Sequence, residues 1–400
     1  MNKQLYYDDV SLIAKYYDGD SRTGNDTSVR LGDYTFKLPV IPANMKCTID
    51  METAERLSKA GYFYILHRFY TNDEIFDWVK SVNNSDIECI SISVGVGEVD
   101  KELVTRLANE KLVPEFITVD IAHGHSRGMK EMIEFIRSKM DDVFIIAGNV
   151  MTREAVDDLS SWGADAVKVG IGGGRVCSTK LKTGFTKPMF SCVLDCCTVN
   201  VDENELEKEC SKEVLDEYKL VVDNGRNTSY PHSHRFPDKF KWIQPLFNRH
   251  FGDIKNITSD EIHNFLSIEM TRRFNERIKN TVVIIADGGI RENGDIAKAL
   301  VAGADMAMAG SMFAGCEDSP AESVFNDDLE LVSKRYYGSA SEENKGHNRN
   351  VEGFLIEIPY NGFTYQEKLD EIKMDLQSSI SYGGGNNLSC LPKVEWKIVQ

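Results

Sequence analysis

Short apolar runs rich in Val and Ile recur along the chain: LPVIPA from Leu38, YFYILH from Tyr62, ISISVGV from Ile90, FITVDIA from Phe116, FIIAGNV from Phe144 and AVKVGI from Ala166. Two more follow after a long interval, VVIIADGG from Val282 and MAMAGS from Met306. Between most neighbours lies one amphipathic stretch of helical spacing, such as METAERLSKAG from Met51 or MTREAVDDLSSWGAD from Met151. Strands that are apolar on both faces, alternating with helices, predict a parallel sheet covered on its outside. Eight such repeats predict an α/β fold, a (β/α)8 TIM barrel, whose active site lies on the loops that follow the strands.

Polar residues concentrate on those loops. Asn44 follows the first strand, His67 and Arg68 the second, and Asn149 the fifth, while Asp120, His123 and His125 surround the end of the fourth. Each alone reads as an ordinary loop-end hydrogen bond; together they mark one face of the barrel.

The spacing breaks once. Roughly 110 residues separate strands six and seven, where a barrel repeat uses about 20 to 30. FSCVLDCC from Phe190 supplies a sixth helix, and the segment after it has acidic helical stretches, a Pro- and aromatic-bearing middle, and a helix start at Thr258-Ser-Asp-Glu261. The expected organisation is a first barrel part over 1–197, an inserted subdomain over 198–270, and the rest of the barrel with a C-terminal segment over 271–400. The pair His232 and His234 within the insertion lacks the third ligand that a metal site requires.

Composition narrows the partners. A hydrophobic content of 42% with 27% charged residues describes a globular chain without a membrane span. The net charge of -17 argues against nucleic acid, because neutralising phosphates needs clustered Lys and Arg. Nine cysteines without framework spacing, two of them adjacent at Cys196 and Cys197, fit a reducing compartment, and we expect a cytoplasmic protein.

The chemistry-bearing loops are glycine-rich. Asp287-Gly288-Gly289 and Gly310-Ser311 follow strands seven and eight, the corner where barrels commonly bind phosphate through backbone N–H groups and a helix start. Asp287 is anionic and suits a ribose diol instead, so the division fits a nucleoside monophosphate. Neither a Walker P-loop nor a G-x-G-x-x-G fingerprint is present. The stretch GIGGGRVCSTK, Gly170 to Lys180, ends a strand and sets Cys177 on a glycine loop. Its inward carbonyls can hold a monovalent cation, and a thiolate at Cys177 can attack an electrophilic ring carbon. Taken alone, such a cysteine is equally at home as buried packing.

PANM, HRF, SISVGV, DIAHGHS, AGNV, GIGGGRVCSTKLKTGF, IADGGIR, GSMFAG, GSASEENKG, NVEG and DLQSSISYGGG occur in this order. The whole set resembles the IMP dehydrogenase/GMP reductase family, on its bacterial reductase side, over about residues 1–197 and 270–400. The resemblance implies NADPH-dependent reductive deamination of GMP to IMP and ammonia. It implies that Cys177 attacks purine C2 to form a covalent intermediate, and that Thr179 and Glu352 move the proton during ammonia departure. For the nucleotide it carries over Asp287, Gly288, Gly289, Gly310 and Ser311, with Gly338, Ser339, Arg349 and Gly353 on the base side. For the cofactor it carries over Asp120, Arg349, Ser21, Arg22, Arg68 and Tyr382, some reaching across a subunit boundary of a homo-oligomer, a tetramer. A potassium ion would use Gly172, Gly174 and Cys177 carbonyls with Lys180 nearby.

Two departures stand out. Gly173 occupies the position where the family keeps proline, which predicts a loop loosened by up to about 1 kcal/mol, and the insertion leaves inherited subunit contacts open. IMP dehydrogenase shares the cysteine and oxidises IMP with NAD. No regulatory domain interrupts Met45 to Arg68, however, and the segment Gly338 to Gly353 is short, without the Arg-Tyr pair of the dehydrogenase flap. A reductase acting on another purine nucleotide and a catalytically inactive nucleotide-binding regulator are further readings of the same residues.

Overall fold

The computed structural model describes residues 4–197, 282–345, 349 and 351–399. The expected insertion, with His232, His234 and the helix start at Thr258, lies outside the described residues. Seven parallel strands form the central sheet. In chain order they are β4 (Val40–Pro42), β5 (Ser91–Val94), β6 (Phe116–Asp120), β7 (Phe144–Val150), β8 (Ala166–Val169), β9 (Val283–Asp287) and β10 (Met306–Ala309). Their spatial order is β4-β10-β9-β8-β7-β6-β5, so each strand after β5 pairs with its predecessor and β10 returns to the first, as barrel closure requires. The strand residues are buried almost throughout, which is why they carry continuous apolar runs rather than alternation.

The second strand, expected at Tyr62 to His67, forms no ladder. The segment is nonetheless buried between the sheet edges, and the Leu66 N–H donates to the Ser91 carbonyl on β5. Side chains take the remaining ladder partners. The Tyr64 hydroxyl donates to the Cys89 carbonyl at 2.9 Å and accepts the Ser91 N–H at 3.2 Å, and Ser93 Oγ donates to the Leu66 carbonyl at 2.6 Å. The segment fills its place in the barrel while side-chain hydroxyls satisfy the backbone.

Helices return between the strands where the amphipathic stretches predict them: α1 (Met51–Lys59), α2 (Asn72–Val82), α3 (Glu98–Asn109), α4 (Arg127–Lys139) and α5 (Arg153–Ser161). Asp50, Thr71, Ser126 and Thr152 cap four of them, each accepting a backbone N–H of the first turn, a contribution of about 1 kcal/mol apiece. α6 (Thr179–Thr183) and α7 (Met189–Cys197) follow the cysteine loop, α8 (Asn293–Val301) follows β9, and α9 (Ser311–Ala314) follows β10. Among the described residues no helix is long and apolar enough to cross a membrane.

The hairpin β2 (Val29–Leu31) and β3 (Tyr34–Phe36) covers the amino-terminal end of the barrel. Phe36 packs on Phe63 and Phe116 at 4.9 and 6.1 Å, and Phe116 on Phe144 at 5.3 Å. Phe116 and Phe144 are the first residues of β6 and β7, so this aromatic cluster closes the floor and leaves the carboxyl ends of the strands for chemistry. Beyond the barrel, β11 (Ser323–Phe325), β12 (Leu331–Tyr337) and β13 (Leu355–Pro359) form an antiparallel sheet whose β12–β13 connection includes Glu352. α10 (Glu342–Lys345) lies in that connection, and α11 (Tyr365–Tyr382) follows with a Thr364–Glu367 capping box. β1 (Val10–Leu12) pairs with β14 (Trp396–Ile398), tying the two ends of the described chain together.

Candidate active site

Two loops cross above the barrel. The cysteine loop after β8 pairs with the connection before β13 through an antiparallel bridge between Cys177 and Gly353. The Ser178 N–H donates to the Glu352 carbonyl at 2.8 Å, and the Phe354 N–H donates to the Val176 carbonyl at 3.0 Å. The Glu352 N–H in turn donates to the Ala340 carbonyl at 2.9 Å. These backbone clamps fix Glu352 before its side chain makes any contact. The result is a directed chain: Cys177 Sγ–H donates to Thr179 Oγ1 at 3.1 Å, and Thr179 Oγ1–H donates to Glu352 Oε2 at 2.6 Å. Cys177 is half-buried, open enough to meet a ligand.

Beneath the loops lies a charged group whose central member, Lys168, the apolar strand pattern hides. Lys168 Nζ sits 2.7 Å from Asp120 Oδ1, 3.1 Å from Asp287 Oδ2 and 3.2 Å from Asn44 Oδ1, with its side chain only 2% exposed. Burial works against its charge, but Asp120 and Asp287 outweigh that and hold the ammonium above the usual lysine range. Burial likewise opposes ionisation of Asp120, yet Lys168 and the Arg68 guanidinium keep its carboxyl below the ordinary range. Asn149 Nδ2 donates to Asp287 Oδ2 and to the Gly170 carbonyl, both at 2.8 Å, so the Asp287 carboxylate is joined to the cysteine loop.

The turn after Asp287 needs its glycines. Gly288 has φ +103°, and a Cβ there would stand 3.1 Å from the Gly174 backbone nitrogen, so the Gly288–Gly289 turn and the cysteine loop touch backbone to backbone. Gly310 immediately precedes α9, and a Cβ on it would collide with the Tyr336 hydroxyl. Tyr336, buried at the end of β12, therefore faces the Gly310–Ser311 turn; burial pushes its phenol well above the usual range. Sequence reading passed over Tyr336 because a strand tyrosine carries no motif of its own.

The remaining candidates fall into groups. The Gly338 carbonyl accepts the Ser341 N–H and Asn344 Nδ2, each at 3.0 Å, and Ser339 is half-buried beside them; Arg349 is exposed. Arg68 lies over the Phe69 ring at 5.1 Å, and its buried Nε has no hydrogen-bond partner in the structure. Ser21, Arg22 and Tyr382 gather at α11 instead: Ser21 caps the turn Arg22–Gly24, Arg22 Nη1 donates to Ser378 Oγ at 3.3 Å, and Tyr382 is 62% exposed. Lys180 runs alongside Gly172, and the Gly174 carbonyl accepts the Cys177 N–H at 3.2 Å. Among the described residues no group of three or more His, Cys, Asp or Glu is placed to hold a metal ion.

Two loop histidines turn out to be structural. His125 pairs with Asp158 of α5 at 2.7 Å and stacks near Trp162, so it faces a helix. His67 is buried, stacks on Tyr70 at 4.5 Å and accepts the Phe69 N–H through Nδ1 at 3.1 Å. Burial, helped by Lys46, lowers its pKa to about 4.

The structure is a parallel α/β barrel with a cysteine–hydroxyl–carboxylate chain over glycine turns, an arrangement chemically able to support a nucleophilic cysteine beside an anion site. The family description "IMP dehydrogenase / GMP reductase domain" matches residues 4–207 and 265–400, leaving 208–264 outside the match. The chain belongs to this family. It is 38% identical over 400 residues to "GMP reductase" of Lactococcus lactis subsp. cremoris (strain SK11), covering all of this chain and 96% of that protein. It is 39% identical over 400 residues to "GMP reductase" of Bacillus subtilis (strain 168), with coverage of 100% and 97%. For "GMP reductase" of Streptococcus agalactiae serotype III (strain NEM316) the identity is 40% over 394 residues, with coverage of 98% and 94%.

Proposed function

We propose that this chain catalyses the reductive deamination of GMP to IMP and ammonia in the cytoplasm, through a covalent adduct between Cys177 and purine C2. The observation that carries the reading is the Cys177–Thr179–Glu352 chain, whose hydrogen bonds run from thiol to carboxylate. Its direction favours loss of the thiol proton through Thr179 to Glu352, leaving a thiolate to add at C2. As the C2–N bond breaks, the same pair returns the proton to the departing amine, so ammonia leaves neutral. NADPH, when bound, supplies the hydride that replaces the amino group at C2. Departure of the Cys177 sulfur then yields IMP and frees the thiolate to take up a proton.

The residues fit both ligands. Asp287, held by Lys168 and Asn149, presents a carboxylate suited to a ribose diol, and the Gly288–Gly289 and Gly310–Ser311 turns with Tyr336 suit the phosphate. Gly338, Ser339, Arg349 and Gly353 border the same loops and would face the base. For NADPH, the buried unpartnered Nε of Arg68 beside Asp120 is a donor in need of an acceptor, and these two would hold the nicotinamide end. Ser21, Arg22 and Tyr382 on the α11 surface would serve the other end of the cofactor, in the same subunit or across the boundary of a homotetramer. A potassium ion would take the carbonyls of Gly172, Gly174 and Cys177, next to Lys180. Free cysteines throughout the described residues suit a reducing compartment. The test is turnover: GMP-dependent loss of NADPH with release of IMP and ammonia supports the reading, whereas NADH formation from IMP and NAD overturns it.

A further inference from the structure

One buried side chain bridges the cysteine loop and the Gly288–Gly289 turn. Met189 opens α7, is 1% exposed, and lies in a cradle of three glycines from two loops. A Cβ built on Gly173 would stand 2.6 Å from Met189 Cγ and 2.7 Å from its Sδ. One on Gly170 would stand 2.9 Å from both Sδ and Cε, and one on Gly289 would stand 2.9 Å from Cγ. Real Cβ contacts do not come this close: at Gly173 and Gly289 the thioether is the nearest obstacle, while at Gly170 the Asp287 carbonyl oxygen, 2.3 Å from the same Cβ, stands closer still.

We propose that Met189 is a positioning residue for Cys177: its side chain, inserted where Gly170, Gly173 and Gly289 leave room, sets the height of the cysteine loop over the nucleotide turn. Gly173 is then not a loosened position. The residue at 173 and the residue at 189 share one volume, and the glycine is the half of that pair that admits methionine. The flexible thioether suits the task, because it fills an irregular gap between two backbones that a branched side chain would force apart. Thr186 braces the same loop from the next turn, its hydroxyl donating to the Ile171 carbonyl at 3.1 Å. The inference rests on the proposed role of Cys177, but loop position is measurable without any substrate.

The experiment is a double-variant cycle on the full chain: Gly173→Ala, Met189→Ala, and both together. Three quantities are read: kcat and KM with GMP and NADPH, the rate of Cys177 alkylation by iodoacetamide mapped by peptide mass, and the thermal midpoint. Gly173→Ala should lower kcat about tenfold or more at little-changed KM, since displacing a reacting group by a fraction of an ångström is costly. Met189→Ala should speed Cys177 alkylation several-fold by leaving the loop unsupported. The double variant should be better than the Gly173→Ala single in kcat, because the new methyl group enters the space the thioether vacates. If Gly173→Ala does not fold, recovery of folding in the double variant carries the same conclusion. Effects that simply multiply, or a Gly173→Ala variant with wild-type kcat and alkylation, would overturn the proposal. If no turnover is found with any purine nucleotide, the functional reading fails, and alkylation and thermal midpoint still decide on Met189.

Discussion

Thr179 Oγ1 and Glu352 Oε2 stand 2.6 Å apart although 173 positions separate them in sequence. The Thr179 hydroxyl also accepts from Cys177 Sγ, so in the proposed mechanism one proton path serves both nucleophile and leaving group. Glu352→Gln keeps the shape and one acceptor oxygen but removes the basic end of the path. It should lower kcat by about 10²- to 10⁴-fold, the range general acid–base catalysis supplies. Thr179→Val, which interrupts the path in the middle, should do the same. Nucleotide affinity, read by equilibrium titration, should move little in either variant.

Lys168 is the counter-ion of Asp120 and Asp287, the carboxylates we propose for the cofactor and the nucleotide respectively. Lys168→Met retains length and removes charge, leaving Asp120 and Asp287 facing a buried apolar group. Breaking a buried pair in this way costs about 3 to 5 kcal/mol. We expect a lower urea midpoint, and KM increases for both GMP and NADPH because each loses the carboxylate geometry that Lys168 maintains. A change in only one KM would show that Lys168 serves one site alone.

His67 makes stability depend on pH with a defined sign. Its folded pKa of about 4 lies below the reference value of 6.5. The unfolded chain therefore takes up a proton that the folded chain refuses. The contribution is complete above about pH 6.5 and is lost as pH falls toward 4, the loss reaching about 3 kcal/mol at the bottom of that window. His67→Asn, whose side-chain oxygen can accept the same Phe69 N–H, should flatten this part of the curve when unfolding free energies are compared at pH 5 and pH 7.

Gly288 combines a left-handed φ with a backbone neighbour that cannot step aside. Gly288→Ala should cost about 1 to 3 kcal/mol in strain. The loss should appear in calorimetry as a lower thermal midpoint and in kinetics chiefly as a raised KM for the nucleotide, because the turn moves away from the cysteine loop.

The barrel is legible because strands buried on both faces carry mainly apolar runs, and β4 to β10 do, broken only by buried polar residues such as Ser91, Ser93 and Lys168 and by polar residues near the strand ends such as Asp120 and Asp287. The second strand was misjudged on the same criterion: Tyr62 to His67 is as buried as a strand, but the Tyr64 and Ser93 hydroxyls take the backbone partners that a ladder would use. Cys177, Thr179 and Glu352 came into view through their motifs, and their distances now join them. Lys168 stayed hidden because it sits inside an apolar run, and its partners Asp120 and Asp287 are brought to it only by strand pairing. His125 looked like a mouth residue from its place after β6, and only the fold shows that it turns toward Asp158. Long-range pairings of this kind have no local signature in sequence.

Central to the proposed function is Cys177 as the nucleophile of a GMP-reducing enzyme. The most direct measurement compares the intact chain with Cys177→Ala, following NADPH consumption together with IMP and ammonia release from GMP. GMP-dependent turnover is expected in the intact chain and none in the variant, with the variant still folded and still binding nucleotide. Persisting turnover in Cys177→Ala, or an intact chain that consumes no NADPH and instead reduces NAD with IMP, would contradict it.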